Sequence, residues 1–471
     1  MLVMKFGGTS VGDAQCFRKV KQIVSDAAHR HAPVVVVVSA MSTVTETLLE
    51  AARRASSGDS KGVEEKLAYL EAKHLQTADE LFSGAPRESA RKAALEIIGE
   101  FRRICGGMEL LRELPLRAMD AALSVGERLS ATLLARYLEQ EGIPARAVDS
   151  AQCVVTDDNF SSARPLMDLT REATRAQLLP LTEKRIIPVV TGFLGATRDG
   201  IRTTLGRGGS DYSGAIVAAS LDADELWIWT DVDGVLSADP KMVGKAAILG
   251  ELTYEEAAEL SHFGAKVLHH KTLAPLIDRM IPVWIKNTFA PEKAGTRIGP
   301  PRPDSAKGPK AVTSLAPVAM LTLRSSGTPG TTELFARTFA ALSHSEVDIL
   351  MVTQASYQNS FCFLVPQAMA ERASTALEQA FRLELNHKYV EPPDRQDVTS
   401  VALIGEGMRG TPGIARLRSQ AQMGSPPPLL GRTRWGSAAR GRPSVGRPNP
   451  SPPSHSAEES VSESRSESAR R

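Results

Sequence analysis

Lys5, Glu127, Arg207, Asp231 and Lys266 each stand in a short segment rich in glycine or hydroxyl residues, the setting that anion and phosphoryl chemistry uses. In the opening stretch Met1-Leu-Val-Met-Lys-Phe-Gly-Gly-Thr-Ser-Val-Gly12, an apolar run ends in Lys5, and Gly7, Gly8, Thr9 and Ser10 follow at once. An amphipathic helix begins near Asp13, with Phe17, Val20, Ile23, Val24 and Ala27 at helical spacing. Strand, glycine turn and helix N-terminus together make an anion site, because backbone N–H groups can approach the ligand and the helix end carries about half a positive charge. Lys5 adds a full charge. The lysine precedes the glycines, so this is not a Walker A loop. A tight turn that merely needs glycine is the alternative.

Four further segments carry candidate groups. Ser124-Val-Gly-Glu-Arg-Leu-Ser130 places Glu127 and Arg128 at an expected helix start, where a glutamate could bind a substrate ammonium or simply favour the helix. Thr203-Thr-Leu-Gly-Arg-Gly-Gly-Ser-Asp-Tyr212 surrounds Arg207 with glycines that let its guanidinium reach a carboxylate bidentately, with Ser210 and Asp211 just before another helix. Trp227-Ile-Trp-Thr-Asp-Val-Asp-Gly234 reads as a strand running into a loop, where Asp231 and Asp233 could face a nucleotide or its Mg²⁺, or form an ordinary turn. Lys241 follows shortly after. Phe263-Gly-Ala-Lys-Val-Leu-His269 offers Lys266 as a second phosphate cation, or as a solvated helix lysine. The nine histidines form no H-x-x-x-H pair, so no catalytic metal site is expected and Mg²⁺ would come with a nucleotide.

These groups need a scaffold. Strands are expected at Leu2–Phe6, Val34–Ser39, Ile187–Thr191, Leu226–Thr230 and Ile281–Lys286, with helices between most of them. Short apolar strands separated by helices imply an α/β unit with a mostly parallel sheet covered on both faces. Residues 45–140 read instead as consecutive helices, an inserted lobe. The chain has 471 residues, enough for two or three domains. Its net charge of +2 gives no nucleic-acid footprint, and 5% aromatic residues give no stacking platform for single strands. Four scattered cysteines with no C-x-x-C pair suit a reducing cytoplasm. Neither export nor membrane insertion is expected, because no apolar run reaches about 18 residues.

The Pro-rich stretch 299–310 reads as a linker. Beyond it come a strand (Val318–Leu323), a turn, a helix (Thr332–Ser343), two strands (Ile349–Gln354 and Ser360–Val365) and a second helix (Gln367–Phe381). Val398–Ile404 then opens an apparent second copy, since Gly-Thr-Pro-Gly recurs at 327–330 and 410–413. From about Arg416 the chain turns to Ser, Pro, Arg and Gly, which bury too little to offset the ordering cost of about 1–2 kcal/mol per residue. Residues 416–471 are expected to be disordered. An unfinished repeat before biased sequence suggests a frameshift or sequence error, which re-reading the encoding DNA would test.

Taken together, Lys5–Val11, Ser39-Ala-Met with Val44-Thr45, Ser124–Ser130, Gly206–Asp211, Thr230–Gly234 and Phe263–His269 resemble the aspartokinases of the amino acid kinase fold, in family order. Met351–Ser356, Phe361–Pro366 and Phe381–Leu385 look most like the kinase half of bifunctional aspartokinase/homoserine dehydrogenases, although no dinucleotide loop follows. The resemblance implies a catalytic domain at 1–298, the linker at 299–310, a first α+β ACT-type regulatory module at 311–395 and the start of an incomplete second one at 396–415.

The resemblance further implies transfer of the ATP γ-phosphoryl group to the side chain of L-aspartate, in the cytoplasm, on the route to lysine, threonine, methionine and isoleucine. Lys5, Gly7 and Gly8 would stabilise the transferring phosphoryl, and Asp211 would orient Lys5. Thr45 and Glu127 would hold aspartate, Arg207 would grip its α-carboxylate, and Ser210 would add a hydrogen bond. Thr230, Asp231, Lys241 and Lys266 would line the ATP side, together with Leu236, which stands where many relatives have Tyr. Gln354 would contact a threonine or lysine effector, and the ACT modules would join subunits into a homo-oligomer. Two alternatives are another kinase of the fold (glutamate, acetylglutamate or uridylate) and an inactive fragment or amino-acid sensor.

Overall fold

The computed structural model describes residues 1–31, 33–265, 268–303, 307–326, 329–355 and 360–408. The chain opens with β1 (Leu2–Phe6), α1 (Ala14–Arg30) and β2 (Val34–Val38), followed by four long helices, α2 (Val44–Ser57), α3 (Ser60–Leu81), α4 (Gly84–Leu111) and α5 (Leu116–Gln140). Next come β3 (Ala145–Val148), β4 (Val155–Thr156), α6 (Met167–Glu183), β5 (Ile187–Thr191), β6 (Leu194–Thr197), β7 (Arg202–Thr204), α7 (Gly209–Ser220) and β8 (Glu225–Thr230). β9 (Glu251–Thr253), α8 (Tyr254–His262), α9 (His270–Ile277), β10 (Val283–Asn287) and β11 (Thr296–Gly299) complete this part. Beyond it lie β12 (Ala311–Arg324), α10 (Thr331–His344), β13 (Met351–Ala355), β14 (Ser360–Pro366), α11 (Ala370–Ala380), α12 (Arg382–Asn386) and β15 (Asp394–Ile404).

The main sheet has the order β3-β5-β2-β1-β8-β10-β11-β9 and is parallel except where β10 meets β11. β1 lies at its centre, with Lys5 in register between Val37 and Ile228. Successive side chains of a strand face opposite ways. Leu2, Met4 and Phe6 therefore join one core with α1 and the α2–α5 lobe, while Val3, Val35 and Val37 join the other with α6, α7 and α8. Lys5 shares the second face. It meets α7 where Gly214 leaves room, since a Cβ on Gly214 would lie 3.2 Å from Lys5 Cβ. Burial on both faces is why β2 is five valines with no polar alternation. The expected helical lobe is present as α2–α5. A small sheet of order β4-β6-β7, absent from the sequence reading, stands beside it.

The C-terminal sheet has the order β13-β14-β12-β15, all antiparallel. Its core packs Ala319, Leu321, Leu323, Phe361 and Phe363 against Leu334 and Leu342 of α10 and Ala373 and Leu377 of α11. Val398–Ile404, read from sequence as the opening of a second copy, is the latter part of β15 and pairs with β12 in this sheet. The pairing changes register between Leu315 and Val318, so the first part of β12 faces Ser400–Ile404 and the rest faces Asp394–Val398. Ala311 and Ile404 pack into the core beneath the main sheet. The proposed tail lies outside the described residues. Among those described, no helix is long and apolar enough to cross a membrane.

Candidate active site

Lys5 is a buried cation near the carboxyl end of the central strand, and burying it demands a partner. Its Nζ lies 2.5 Å from Asp211 Oδ1, in the first turn of α7. Immediately beyond Lys5 the chain turns. The Gly7 N–H donates to the Trp229 carbonyl at 3.0 Å, and Gly8 opens a single 3₁₀ turn over Thr9–Val11. Gly8 has φ −59°, so glycine is required here by proximity and not by handedness: a Cβ would stand 3.1 Å from the Ala40 carbonyl oxygen. The Ser42 hydroxyl also donates to the Gly8 carbonyl at 2.9 Å.

The expected anion site at the start of α1 needs correction. Asp13 Oδ1 accepts from the Cys16 N–H at 2.9 Å and caps that helix. This backbone hydrogen bond holds the Asp13 carboxyl below the usual carboxylate range. A carboxylate already occupies that N-terminus, so the backbone that faces the site is the Gly7–Val11 turn.

On one side of Lys5 lies a cavity of about 570 Å³. Lys5, Asp211, Thr230, Asp231, Leu236 and Lys241 all line it. The far wall comes from Gly264 and Ala265 and from Val312, Thr313 and Ser314 of β12. Its volume suits a nucleotide-sized ligand. Lys266 lies outside the described residues. Asp233 does not line the cavity. It accepts from Asn287 Nδ2 at 2.7 Å and pairs with Lys293 at 2.5 Å, and the Lys293 ammonium holds its carboxyl below the usual range. The expectation that Asp233 faces a nucleotide is therefore corrected to a structural pair.

The groups expected to hold the acceptor do not line this cavity. Ser39 Oγ, just past β2, donates to Ser210 Oγ at 2.7 Å. The close approach of Ser210 requires Gly192, where a Cβ would stand 2.9 Å from Ser210 Cβ. Glu127 is buried beside the Ala40 backbone and within the field of Lys5. Burial pushes its carboxyl up to about 8, against the pull of the Ala40 N–H and the Lys5 charge. Its Oε2 has no hydrogen-bond partner among the described residues. Arg128, next in sequence, pairs instead with Glu100 at 2.8 Å. Thr45 is half-buried in the first turn of α2. Arg207 is exposed, between Gly206 (φ +76°) and Gly208 (φ +72°), a left-handed pair of turns that suits glycine.

Residues 1–287 match the Amino acid kinase family. The chain belongs to the amino acid kinase family. Residues 321–381 match the ACT domain. This amino acid kinase is 31% identical over 430 residues to the bifunctional aspartokinase/homoserine dehydrogenase of Haemophilus influenzae, an alignment covering 88% of this chain and 51% of that protein. It thus spans about half the length of the curated relatives it matches. The crystal structure of E. coli aspartokinase III with aspartate and ADP (R-state) is similar, with a TM-score of 0.74 and 27% identity, over 88% of this chain and 90% of that one. The same E. coli enzyme with lysine and aspartate (T-state) gives a TM-score of 0.70 and 28% identity, over 86% and 87% of the two chains.

Two sequence-based placements in this amino acid kinase fold change. Ser124–Ser130 is not a helix start but lies inside α5, so Glu127 is aimed by the body of a long helix. Ser210 and Asp211 lie within α7 and not before it. Gln354 sits on exposed edge strand β13, away from both the cavity and the acceptor groups. Sequence reasoning gave no role to Ser39, although it lies in a recognised motif. It also missed Thr313, whose type and neighbours carry no signal.

Proposed function

We propose that this chain is an aspartate kinase, transferring the γ-phosphoryl group of ATP to the side-chain carboxylate of L-aspartate to give 4-phospho-L-aspartate. One observation carries the reading. Lys5, paired with Asp211, lines a nucleotide-sized cavity and also acts electrostatically on the buried Glu127, whose Oε2 has no hydrogen-bond partner among the described residues. A buried acceptor without a donor is costly, and the ammonium of an amino acid would supply one.

In this reading Glu127 takes the aspartate ammonium and Arg207 its α-carboxylate, with Thr45 and Ser210 adding hydrogen bonds. The side-chain carboxylate is already ionised at neutral pH, so no general base is needed. Its oxygen forms the new bond to the γ-phosphorus as the bond to the ADP oxygen breaks, and ADP leaves. Positioning and charge neutralisation do most of the work in such a transfer. Lys5 and the Gly7-Gly8 turn meet the transferring group, with Asp211 aiming the ammonium of Lys5. Thr230, Asp231, Leu236, Lys241 and Lys266 serve the nucleotide.

Mg²⁺ would arrive with ATP and offset phosphate charge. Among the described residues no group of three His, Cys, Asp or Glu could hold a metal alone, whereas Asp231 lines the cavity outside any ion pair and fits a metal carried largely by phosphates. We further propose regulation by lysine or threonine near Gln354, assembly through the ACT part, a cytoplasmic location, and a place in lysine, threonine and methionine biosynthesis. The lysine-bound E. coli relative supports the regulation.

The test is purified protein with Mg-ATP and hydroxylamine, offering aspartate, glutamate, acetylglutamate and UMP in turn, with ADP release measured alongside. Aspartate hydroxamate is expected. Turnover with another acceptor alone, or with none, overturns the reading.

A further inference from the structure

Asp120 is a fully buried carboxylate with no part in the reading above. It lies on α5, two helical turns before Glu127. Burial raises its pKa, against four hydrogen bonds that favour the charged form. Oδ2 accepts from the backbone N–H groups of Ser161 (2.8 Å) and Thr204 (3.0 Å), and Oδ1 accepts from their hydroxyls at 3.2 and 2.8 Å. A carboxylate accepts from all four donors, whereas a carboxamide turned with its oxygen toward the two N–H groups accepts from those two alone, sets its NH₂ against the two hydroxyls so that both must turn to accept, and loses the charge.

Both partners belong to the Arg207 loop or to the loop beneath it. Thr204 ends β7, three residues before Arg207. Ser161 has φ +67°, a conformation that a non-glycine residue holds only when its surroundings enforce it. The Ser161 carbonyl oxygen lies against Gly206, where a Cβ would stand 3.1 Å away. Asp120 thus laces the 157–163 loop to the base of the Arg207 loop. The same helix carries Glu127, about 10 Å further along at 1.5 Å per residue.

We infer that Asp120 is a positioning residue for amino-acid binding: it fixes the Arg207 loop on α5, so that one rigid helix sets the separation between the guanidinium and the Glu127 carboxylate. The substrate class that this spacing selects is a free α-amino acid, held by ammonium and α-carboxylate together. The inference rests on the proposed role of Arg207 as the α-carboxylate ligand.

The experiment is a double-mutant cycle read by initial rates for both substrates. Asp120→Asn is expected to raise KM for aspartate about tenfold, the size of one charge-assisted hydrogen bond, with KM for ATP unchanged. In an Arg207→Ala background it should add almost nothing, because Asp120 acts through that loop. Thr204→Val, which removes one donor and keeps the shape, should move KM for aspartate in the same direction by a smaller factor, and it carries the test should Asp120→Asn not fold. Equal rises in both KM values, or full additivity with Arg207→Ala, overturn the inference. An Arg207→Ala enzyme with an unchanged KM for aspartate overturns the role of Arg207 itself, a separate outcome.

Discussion

Thr313 Oγ1, on the first part of β12, donates to the Phe263 carbonyl at 3.0 Å, so the C-terminal sheet directly holds a wall of the cavity proposed for the nucleotide. The next residue, Gly264, has φ +96°, and a Cβ there would stand 3.1 Å from the Ser314 carbonyl oxygen. Gly264→Ala therefore meets backbone strain of about 1–2 kcal/mol and a neighbour that β12 cannot easily move. KM for ATP is expected to rise about tenfold with KM for aspartate unchanged, measured by initial rates. An unchanged KM for ATP would detach this wall from nucleotide binding.

The same junction has an electrostatic anchor. Glu256, buried in α8, receives Lys310 Nζ at 2.7 Å, the Glu406 N–H at 2.9 Å and the Thr253 N–H at 2.9 Å. Lys310→Met strips the countercharge and leaves a buried carboxylate with only neutral donors. Breaking a buried pair costs about 3–5 kcal/mol, and the remaining N–H bonds place this case at the lower end. A urea titration should show that loss. Lys310→Arg, which keeps the countercharge, should lose much less, and an equal loss would mean that the charge is not the cause.

Lys5 and Asp211 make the sharpest kinetic prediction. Lys5→Ala removes the cation proposed to face charge developing on the transferring phosphoryl, so kcat should fall by about 10²–10³. KM for ATP should change far less. Asp211→Asn keeps the cation but loosens its aim, and a smaller fall in kcat is expected. Single-turnover measurements separate chemistry from product release. An unchanged kcat for Lys5→Ala would remove it from the phosphoryl site.

Arg207→Ala should act on the other substrate. Loss of a bidentate guanidinium–carboxylate contact is expected to raise KM for aspartate about 10–100-fold with KM for ATP nearly constant. Initial rates over a matrix of both substrates provide the check, and equal rises would sink the α-carboxylate assignment.

What sequence could reveal depended on how local each cause was. β1, β5 and the α2–α5 lobe were legible because continuous burial and helical periodicity leave their mark on neighbouring residues. Lys5, Ser210 and Asp211 stand out as candidates because glycines cluster where backbones approach closely, and Gly8 against Ala40 is such an approach. Glu127 stands out as a candidate, but its helix was entered in the wrong place: glycine and serine looked like a helix start, whereas Gly126 is small because a Cβ would lie 2.7 Å from Ala40 Cβ. Asp233 looked equivalent to Asp231 because only tertiary structure brings Lys293 and Asn287 to it. Asp120 had a faint local signal, an acid two turns before Glu127 on the same helix, but its four donors come from residues 161 and 204, far along the chain. The β12–β15 pairing was invisible for the same reason, since an apparent sequence repeat does not say which strand will accept the next one.

Glu127 gives the reading a pH signature. Its carboxyl is raised by burial from an ordinary 4.5 to about 8. An acid raised in the folded state keeps its proton where the unfolded chain has lost it. Between those two values the unfolded state therefore binds fewer protons than the native state, and stability falls as pH rises. Above about 8 both states are ionised and the dependence ends. Ligand-free protein should thus lose Tm relative to Glu127→Gln as pH climbs through this window, and the difference should level off above it. Aspartate binding should show the opposite trend, because its ammonium needs the ionised carboxylate. KM for aspartate is expected to fall by up to about tenfold per pH unit below the Glu127 pKa, and then flatten. Glu127→Gln should have a high KM for aspartate with that slope removed, while KM for ATP follows the wild type. A wild-type KM for aspartate that is flat across the window, with Glu127→Gln equally flat and no weaker, would take Glu127 out of the ammonium site.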